Sequence, residues 1–254
     1  MTEKHARIRL DSLLVERSLV GSRQRARALI MAGKVIVAGE TVQKPGKEVP
    51  LNAEISIAES LPFVSRGGIK LCAALDAFHL DPTGLTVLDA GASTGGFTDC
   101  LLQRGAARVI AIDVGYGQLD WKLRSDPRVY VLERTNVRFL DPLSLPHPPD
   151  AAVADLSFIS LKLVLPKFRE LLPEGGWLVP LVKPQFEVGR FEVGRGGVVR
   201  DPEKMRAAVH GIRTFAEQCG FDVLGETESP IRGPKGNREF LLHLVRKATA
   251  ITEI

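Results

Sequence analysis

The stretch Val87-Leu88-Asp89-Ala90-Gly91-Ala92-Ser93-Thr94-Gly95-Gly96-Phe97 decides the fold of the larger part of this chain. An apolar run ends in an acid, a glycine-rich turn follows, and a helical pattern begins at Gly96. Glycines let a backbone approach a ligand closely, and the first turn of a helix offers free N–H groups to an anion. The stretch therefore predicts a strand, a turn and a helix, with a ligand bound at the turn.

Strand-like and helical segments alternate along the chain around this turn. We predict strands at residues 86–89, 108–113, 129–132, 151–155, 176–183, 222–226 and 239–245, and helices at residues 96–104, 119–124, 161–172 and 202–219. This alternation is typical of a doubly wound α/β sheet, in which ligands bind at the carboxyl ends of the strands. The short connection before the last strand predicts an antiparallel pair. The fold class is thus a Rossmann-like, seven-stranded α/β domain.

The first sixty residues follow a different pattern, with short and basic segments. Arg9 to Arg17 has leucines on one face, Ser22 can cap a second helix, and Gly33 can end it. Apolar residues at 35–37 and 55–57 are typical of hairpin strands. We expect a small α+β domain over residues 1–60, a linker at 61–66, and the larger domain at 67–254.

Composition excludes several classes of protein. The chain has 254 residues, 44% of them hydrophobic, yet no apolar run approaches the roughly 18 residues that span a bilayer. The first residues lack the features of a secretory signal, so we expect a cytoplasmic protein without a membrane partner. Cys72, Cys100 and Cys219 are far apart and form no CxxC motif. They indicate neither a disulfide framework nor a zinc site, and we expect no metal.

Positive charge is concentrated near the N-terminus, although the net charge is only +4. Residues 17–34 contain no acid and five basic residues, Arg17, Arg23, Arg25, Arg27 and Lys34. Such a stretch is either the contact surface for a nucleic acid or an ordinary solvated helix face.

Two functions compete for the glycine turn. Gly91-Ala-Ser93-Thr-Gly95 matches the GxSxG elbow of α/β-hydrolases, but His210 and His243 are the only late histidines, and neither follows a typical catalytic loop. The alternative is a nucleotide-type cofactor, S-adenosylmethionine or a dinucleotide, whose ribose hydroxyls Asp113 would accept. The spacing by itself does not separate these two cofactors.

Four charged residues stand at predicted element ends: Lys70, Asp155, Lys183 and Glu239. Parallel strands end at one edge of a sheet, so Asp155 and Lys183 can meet there. Lys183 follows four apolar residues and is poorly solvated, and a nearby Lys70 would further favour a neutral amine that can act as a base. Asp155 and Glu239 would then orient the two lysines. The alternative is that all four only form structural ion pairs.

The motifs together resemble a known family. Residues 9–23, 28–39 and 44–46 resemble the S4 RNA-binding domain. Residues 64–71, 91–97, 155–160 and 182–189 resemble the TlyA family, the hemolysin-A-type rRNA ribose methyltransferases with an FtsJ-like catalytic domain. The resemblance implies a class I methyltransferase that uses S-adenosylmethionine to methylate cytidine 2′-hydroxyls in large-subunit rRNA and, in many members, in small-subunit rRNA too.

The resemblance also implies roles for individual residues. Lys70, Asp155, Lys183 and Glu239 correspond to the family's catalytic tetrad. The residues expected to bind the cofactor are Asp89, Gly91, Ser93, Gly95, Gly96, Phe97, Asp113, Asn136 and Asp155. The residues expected to bind RNA are Arg9, Ser22, Arg23, Arg27, Lys34 and Arg66.

Two other functions remain open for such a chain. One is a membrane-active protein, as the name hemolysin suggests, and the other is a ribosome-binding protein without catalysis.

A tandem Phe-Glu-Val-Gly-Arg repeat over residues 186–195 departs from the family pattern. We expect it to be a mobile loop without a helix or strand of its own.

Overall fold

The computed structural model describes residues 7–31, 33–57, 62–189, 192–194 and 196–248. The chain divides into two compact units, Met1–Leu61 and Pro62–Ile254. Within the described residues, no helix is both long enough and apolar enough to cross a membrane.

Within its described residues, 7–31 and 33–57, the smaller unit contains two helices and five short strands. The helices are α1 (Leu10–Glu16) and α2 (Arg23–Met31), and the strands are β1 (Arg7–Arg9), β2 (Val35–Val37), β3 (Glu40–Val42), β4 (Glu48–Pro50) and β5 (Ile55–Ile57). β2 pairs antiparallel with both β3 and β5, and β1 pairs antiparallel with β4. Leucines of α1 and Ile30 of α2 pack on Val35 in a single core.

Both predicted helices of this unit are confirmed, and the Ser22 hydroxyl accepts a hydrogen bond from Arg25 N at 3.2 Å, as expected of a cap. The strands predicted at residues 35–37 and 55–57 are confirmed as β2 and β5, which pair with each other in antiparallel register. β2 also turns directly into β3 through Ala38 and Gly39, which both have positive φ, as the tightest hairpin turn requires. β1, β3 and β4 were not predicted, because each of these three-residue strands carries at least one charged residue and shows no apolar pattern.

The larger unit is built on a seven-stranded sheet in the order β11-β12-β10-β9-β6-β7-β8. Its strands are β6 (Thr86–Ala90), β7 (Arg108–Ile112), β8 (Val129–Leu132), β9 (Ala151–Ala154), β10 (Trp177–Val182), β11 (Phe221–Glu228) and β12 (Phe240–Arg246). β12 runs antiparallel to both neighbours, and the remaining pairs are parallel. The seven predicted strands and the antiparallel last pair are confirmed.

Helices cover both faces of this sheet. They are α3 (Gly67–Phe78), α4 (Gly96–Gln103), α5 (Trp121–Arg124), α6 (Leu165–Leu171), α7 (Pro184–Glu187) and α8 (Pro202–Gln218). One core joins the sheet to α3 and α4 through residues such as Leu71 and Leu101, and the other joins it to α6 and α8 through Phe168 and Ile212. Burial on both faces explains why the central strands β9 and β10 are continuous apolar runs.

Two helix predictions need correction. The helix predicted over 161–172 is a 3-10 turn at Leu161–Leu163 followed by α6, because Pro166 has no N–H and its ring excludes a continuous helix from the preceding turn. Lys70, expected at an element end, lies inside α3, a helix that its opening glycines concealed.

Gly68 is required by packing. A Cβ at this position would lie 2.3 Å from Cγ of Phe63, which is buried. Gly211, inside α8, has nothing closer than Lys162 Nζ at 3.8 Å. Two glycines in helices of one unit therefore differ in whether an added methyl group can be accommodated.

We expect Gly68→Ala to lower the free energy of unfolding by about 1–3 kcal/mol through overpacking. Gly211→Ala, the control, should raise it by about 0.5–1 kcal/mol, because alanine restricts the unfolded chain. Denaturant unfolding measures both values. Equal effects of the two changes would contradict the packing argument.

Candidate active site

The glycine turn joins three strand ends. Gly91 has a φ of 83°, and a Cβ there would lie 2.6 Å from the carbonyl oxygen of Asp155. Gly91 N donates to Ile112 O at 2.8 Å. A Cβ on Gly95 would lie 2.2 Å from Leu123 Cδ1. A side chain at either glycine would separate the turn from its neighbours, so the sequence needs glycine at both.

Beside the turn lies a cleft of about 480 Å³, here named the Asp113 cleft, lined by Gly91, Ser93, Asp113, Asn136 and Asp155 among others. Both oxygens of the Asp113 carboxylate are fixed, since they accept from Ser93 N at 2.8 Å and Gly115 N at 2.7 Å. A carboxylate has further lone pairs, so Asp113 can still accept from two ligand hydroxyls. The size and polarity of this cleft fit a nucleoside.

Asn136, expected to bind the cofactor, does line the Asp113 cleft. Its Oδ1 accepts from Arg138 N at 3.0 Å and caps the 3-10 helix at Val137–Phe139. Its amide N–H₂ group has no hydrogen-bond partner within the described part of the chain. The Asn136 side chain therefore both caps a turn and lines the cleft.

A second cleft, the Lys70 cleft, lies on the other side of the turn and has a volume of about 290 Å³. Its lining includes Arg66, Lys70, Gly96, Phe97 and Asp155. Arg66 Nη2 donates to Arg232 O at 2.9 Å, which holds this exposed side chain at the cleft. Gly91, Ser93 and Asp155 line both this cleft and the Asp113 cleft.

The third cleft, the Lys183 cleft of about 320 Å³, contains Lys183 and Glu239. It shares Ser157 and Phe158 with the Asp113 cleft and Pro234 with the Lys70 cleft. The three clefts therefore meet around Asp155 and Lys183. A cofactor and a second substrate bound in them would be neighbours.

The four charged residues form two ion pairs. Lys183 Nζ lies 2.6 Å from Asp155 Oδ1 and donates to Ser157 Oγ at 2.8 Å. Lys70 Nζ lies 2.6 Å from Glu239 Oε2, and both of these side chains are buried. The expected pairing of Asp155 with Lys183 is thus present. Glu239 balances the charge of Lys70. The electrostatic influence of Lys70 on Lys183 is therefore weaker than that of an unpaired cation.

Asp89 lies apart from the three clefts. Its side chain is fully buried and accepts from Thr98 Oγ1 at 2.6 Å, so it holds the first turn of α4. Burial raises the pKa of Asp89 from its ordinary value of 3.8 to about 7, against the opposing effect of the Thr98 hydrogen bond. The structure thus gives Asp89 a supporting position under the turn.

Two residues of the Lys183 cleft escaped sequence reasoning. Phe158 is 89% exposed, has a φ of 63°, and packs against Phe186 with ring centroids 5.2 Å apart. A bulky residue in the left-handed region is strained, which marks it as a candidate for function. Asn237 is buried, accepts from Val199 N at 3.0 Å and donates to Gly197 O at 2.9 Å. Asn237 thereby fixes the glycine-rich segment at the cleft, and no local motif marked it.

The tandem repeat is only partly outside regular structure. Phe186 and Glu187 of its first copy belong to α7, which corrects the expectation of a loop without an element. Glu187 accepts from Ser160 Oγ at 2.5 Å and Leu161 N at 2.9 Å. Arg190, Phe191 and Arg195 lie outside the described residues.

The hydrolase alternative lacks a base. Ser93 Oγ contacts Gln118 Oε1 at 3.4 Å, and neither cleft that Ser93 lines contains a histidine among its described residues. His243 lies in β12, and its ring stacks on Phe78 with centroids 5.5 Å apart. Burial lowers its pKa.

The sheet order, the glycine turn and the ionisable pairs at its carboxyl edge define a methyltransferase domain. Residues 63–246 match the FtsJ-like methyltransferase family, and residues 8–55 match the S4 domain. The chain therefore belongs to the family of FtsJ-like methyltransferases that includes TlyA, and it carries an S4 domain at its N-terminal side. The resemblance seen in the sequence is confirmed.

Three similar proteins illustrate the range of names in this family. The 16S/23S rRNA (cytidine-2′-O)-methyltransferase TlyA of Mycobacterium tuberculosis is 50% identical over 240 residues, which cover 94% of this chain and 90% of that protein. Hemolysin A of Brachyspira hyodysenteriae is 38% identical over 94% of this chain and all of that protein. A solved structure named "Putative hemolysin" from Streptococcus thermophilus is 42% identical, with a TM-score of 0.75, and covers 96% of this chain and 90% of that one. The FtsJ-like match supports methyl transfer over the membrane-active alternative.

We expect Asp89→Asn to change how stability depends on pH. Because the folded-state pKa of Asp89 is raised, its contribution is fully favourable below about pH 4 and is lost as the pH rises through about 7. The amide does not titrate, so the free energy of unfolding of the variant, relative to wild type, should rise by an amount on the order of a few kcal/mol between about pH 5 and 8. Denaturant titrations across this range measure the difference.

The control for this prediction is Asp126→Asn. The side-chain hydrogen bond from Arg128 lowers the pKa of Asp126, so its contribution is present at neutral pH and is lost only as the pH falls into the acid range. Its relative stability should stay level between about pH 5 and 8. A level profile for Asp89→Asn as well would show that Asp89 is ionised in the folded protein.

Proposed function

We propose that this chain is an S-adenosylmethionine-dependent methyltransferase of ribosomal RNA that methylates the ribose 2′-hydroxyl of cytidine. The observation that carries the proposal is the meeting of three clefts at the Asp155–Lys183 ion pair. The name of the TlyA relative supports rRNA cytidine as the substrate, and the S4 match supports an RNA partner.

The cofactor fits the Asp113 cleft and the adjoining turn. Asp113 would accept the ribose hydroxyls, Asn136 would face the adenine, and Gly91, Ser93, Gly95, Gly96 and Phe97 would surround the methionine part. When bound, S-adenosylmethionine supplies an activated methyl group on a sulfonium. Among the described residues, no group of three or more histidine, cysteine or acidic side chains is placed to hold a metal ion.

Lys183 is the proposed proton acceptor. A ribose hydroxyl is a weak acid, so its attack on a methyl group requires that the proton be taken up. Lys183 is placed to accept that proton, and Asp155, whose Oδ1 lies 2.6 Å from Nζ, stabilises the ammonium that forms. Ser157 fixes the direction of the amine through its hydroxyl.

Lys70 and Glu239 form the opposite side of the site. Glu239 is 1% exposed, and a Cβ on Gly233 would lie 2.4 Å from its Oε1, so the surrounding loop fixes the carboxylate. The buried pair holds Lys70 Nζ near the junction of the clefts, where it can orient a ribose oxygen. The exposed ring of Phe158 provides a face on which a base could stack.

The test is methyl transfer from labelled S-adenosylmethionine to separated ribosomal subunits, followed by mapping of the modified ribose. Wild-type protein should label a cytidine 2′-oxygen in large or small subunits. Calorimetry measures cofactor affinity separately. Cofactor binding without transfer to either subunit would favour a ribosome-binding protein without catalysis.

Lys183→Ala should reduce the transfer rate by about a hundredfold or more, because the proton acceptor is lost. Cofactor affinity should stay within a few-fold, since Lys183 acts on the hydroxyl. Lys167→Ala, which removes a lysine paired with Glu170 on α6, is the control and should keep full activity. If the Lys183 variant transferred methyl groups as fast as wild type, the Asp155–Lys183 pair would have a structural role only.

Arg23→Ala combined with Arg27→Ala should weaken binding to ribosomal subunits. The double change should also reduce the slope of log affinity against log salt concentration by about one to two, because each arginine that contacts a phosphate releases counterions. These residues are four apart on α2 and are both exposed. Arg25→Ala, a control on another face of α2, should have a smaller effect. The affinity for ribosomal subunits is measured over a salt series. An unchanged salt slope in the double variant would mean that RNA binds to a different surface.

A further inference from the structure

Asp11 holds two arginines at once in the smaller unit. Arg9 Nε and Nη2 donate to its two carboxylate oxygens at 3.0 and 2.9 Å. Arg23 Nε lies 3.3 Å from Oδ2, and Arg23 Nη2 donates to Oδ1 at 3.5 Å. The hydrogen bond from Arg9 lowers the pKa of Asp11 to about 2, so the carboxylate is charged at neutral pH.

Burial is distributed unequally within this group. The Asp11 side chain is 1% exposed, whereas those of Arg9 and Arg23 are 49% and 57% exposed. One bidentate arginine would be enough to neutralise a buried carboxylate. The second arginine is therefore more than the fold requires at this point.

The geometry leaves one edge of each guanidinium free. Arginine has two edges that can each donate a pair of hydrogen bonds, one through Nε and Nη2 and the other through Nη1 and Nη2. Asp11 faces the Nε edge of both arginines. Within the described residues, neither Nη1 atom has a hydrogen-bond acceptor, so the outer edges remain available.

The backbone around Asp11 is also fixed. Asp11 N donates to Pro45 O at 3.1 Å, and Leu10 N donates to Lys47 O at 2.9 Å. A Cβ on Gly46 would lie 3.0 Å from Arg9 Nη1, so the guanidinium rests on a glycine backbone. Asp11 therefore has a rigid position from which to direct the arginines.

We infer that Asp11 is a positioning residue that orients Arg9 and Arg23 as a paired fork for a backbone phosphate of RNA. Unconstrained arginines would lose side-chain freedom on binding, and Asp11 removes that loss in advance. The inference rests on the proposed function, because RNA binding by the smaller unit is part of it. It adds a role for a buried acid that does not itself touch the ligand.

The test depends on the sign of the effect. Asp11→Asn removes a negative charge next to the fork, so electrostatics alone would strengthen binding to RNA. Positioning predicts the reverse, a three- to tenfold loss of affinity for isolated ribosomal subunits, with cofactor affinity unchanged. Glu40→Gln removes one charge from an exposed site on β3 of the same unit, and this control should keep or slightly raise the affinity. Equal or tighter binding by Asp11→Asn would overturn the inference.

A second pair of variants covers the case in which Asp11→Asn does not fold, which circular dichroism and thermal unfolding would detect. Arg9→Lys and Arg23→Lys keep each positive charge but remove the bidentate edge. Positioning predicts weaker subunit binding by both, and unchanged binding would overturn it.

Arg9→Ala combined with Arg23→Ala separates the two proposals. If this double variant binds subunits like wild type, RNA recognition by this surface fails and the positioning role fails with it. If it binds weakly while Asp11→Asn and both lysine variants bind like wild type, only the role of Asp11 is wrong.

Discussion

The site in the larger unit depends on how closely the turn after β6 approaches the backbone after β9. Only glycine at position 91 permits this approach, since a Cβ would lie 2.6 Å from the Asp155 carbonyl oxygen. Because β6 lies between β7 and β9 in the sheet, the same turn also touches the end of β7. Asp113 and Asp155 consequently stand on either side of one turn, and both the Lys70 cleft and the Asp113 cleft border it.

Carboxylates hold basic side chains in fixed positions in both units, but the two units differ in whether the basic side chains are buried or exposed. In the larger unit, Lys70 and Glu239 are both buried, and a buried pair holds its lysine in one place at the cost of desolvation. In the smaller unit, Asp11 is buried and its arginines are exposed. The first arrangement is suited to chemistry on a small group, and the second to recognition of an extended anion.

Much of the fold could be predicted from local pattern. The central strands β9 and β10 are apolar runs of four and six residues, and such runs are hard to mistake when both faces are buried. α3 was missed because two glycines open it, and their reason is tertiary, as the contact of Gly68 with Phe63 shows. The break at Pro166 follows from local chemistry and was available to sequence reasoning.

By itself the sequence determined the class of fold, the glycine turn, and the four ionisable residues of the proposed site. The meeting of Asp155 with Lys183 followed from the predicted parallel strands, whereas only the tertiary structure decided that Lys70 pairs with Glu239. Lys70 and Glu239 are 169 positions apart, and they meet because α3 and the start of β12 reach the same edge of the sheet. It also decided that Asp89 faces Thr98 under the turn and that Asp11 faces two arginines. Such pairings depend on strand order and on which faces are buried, and no local spacing encodes either.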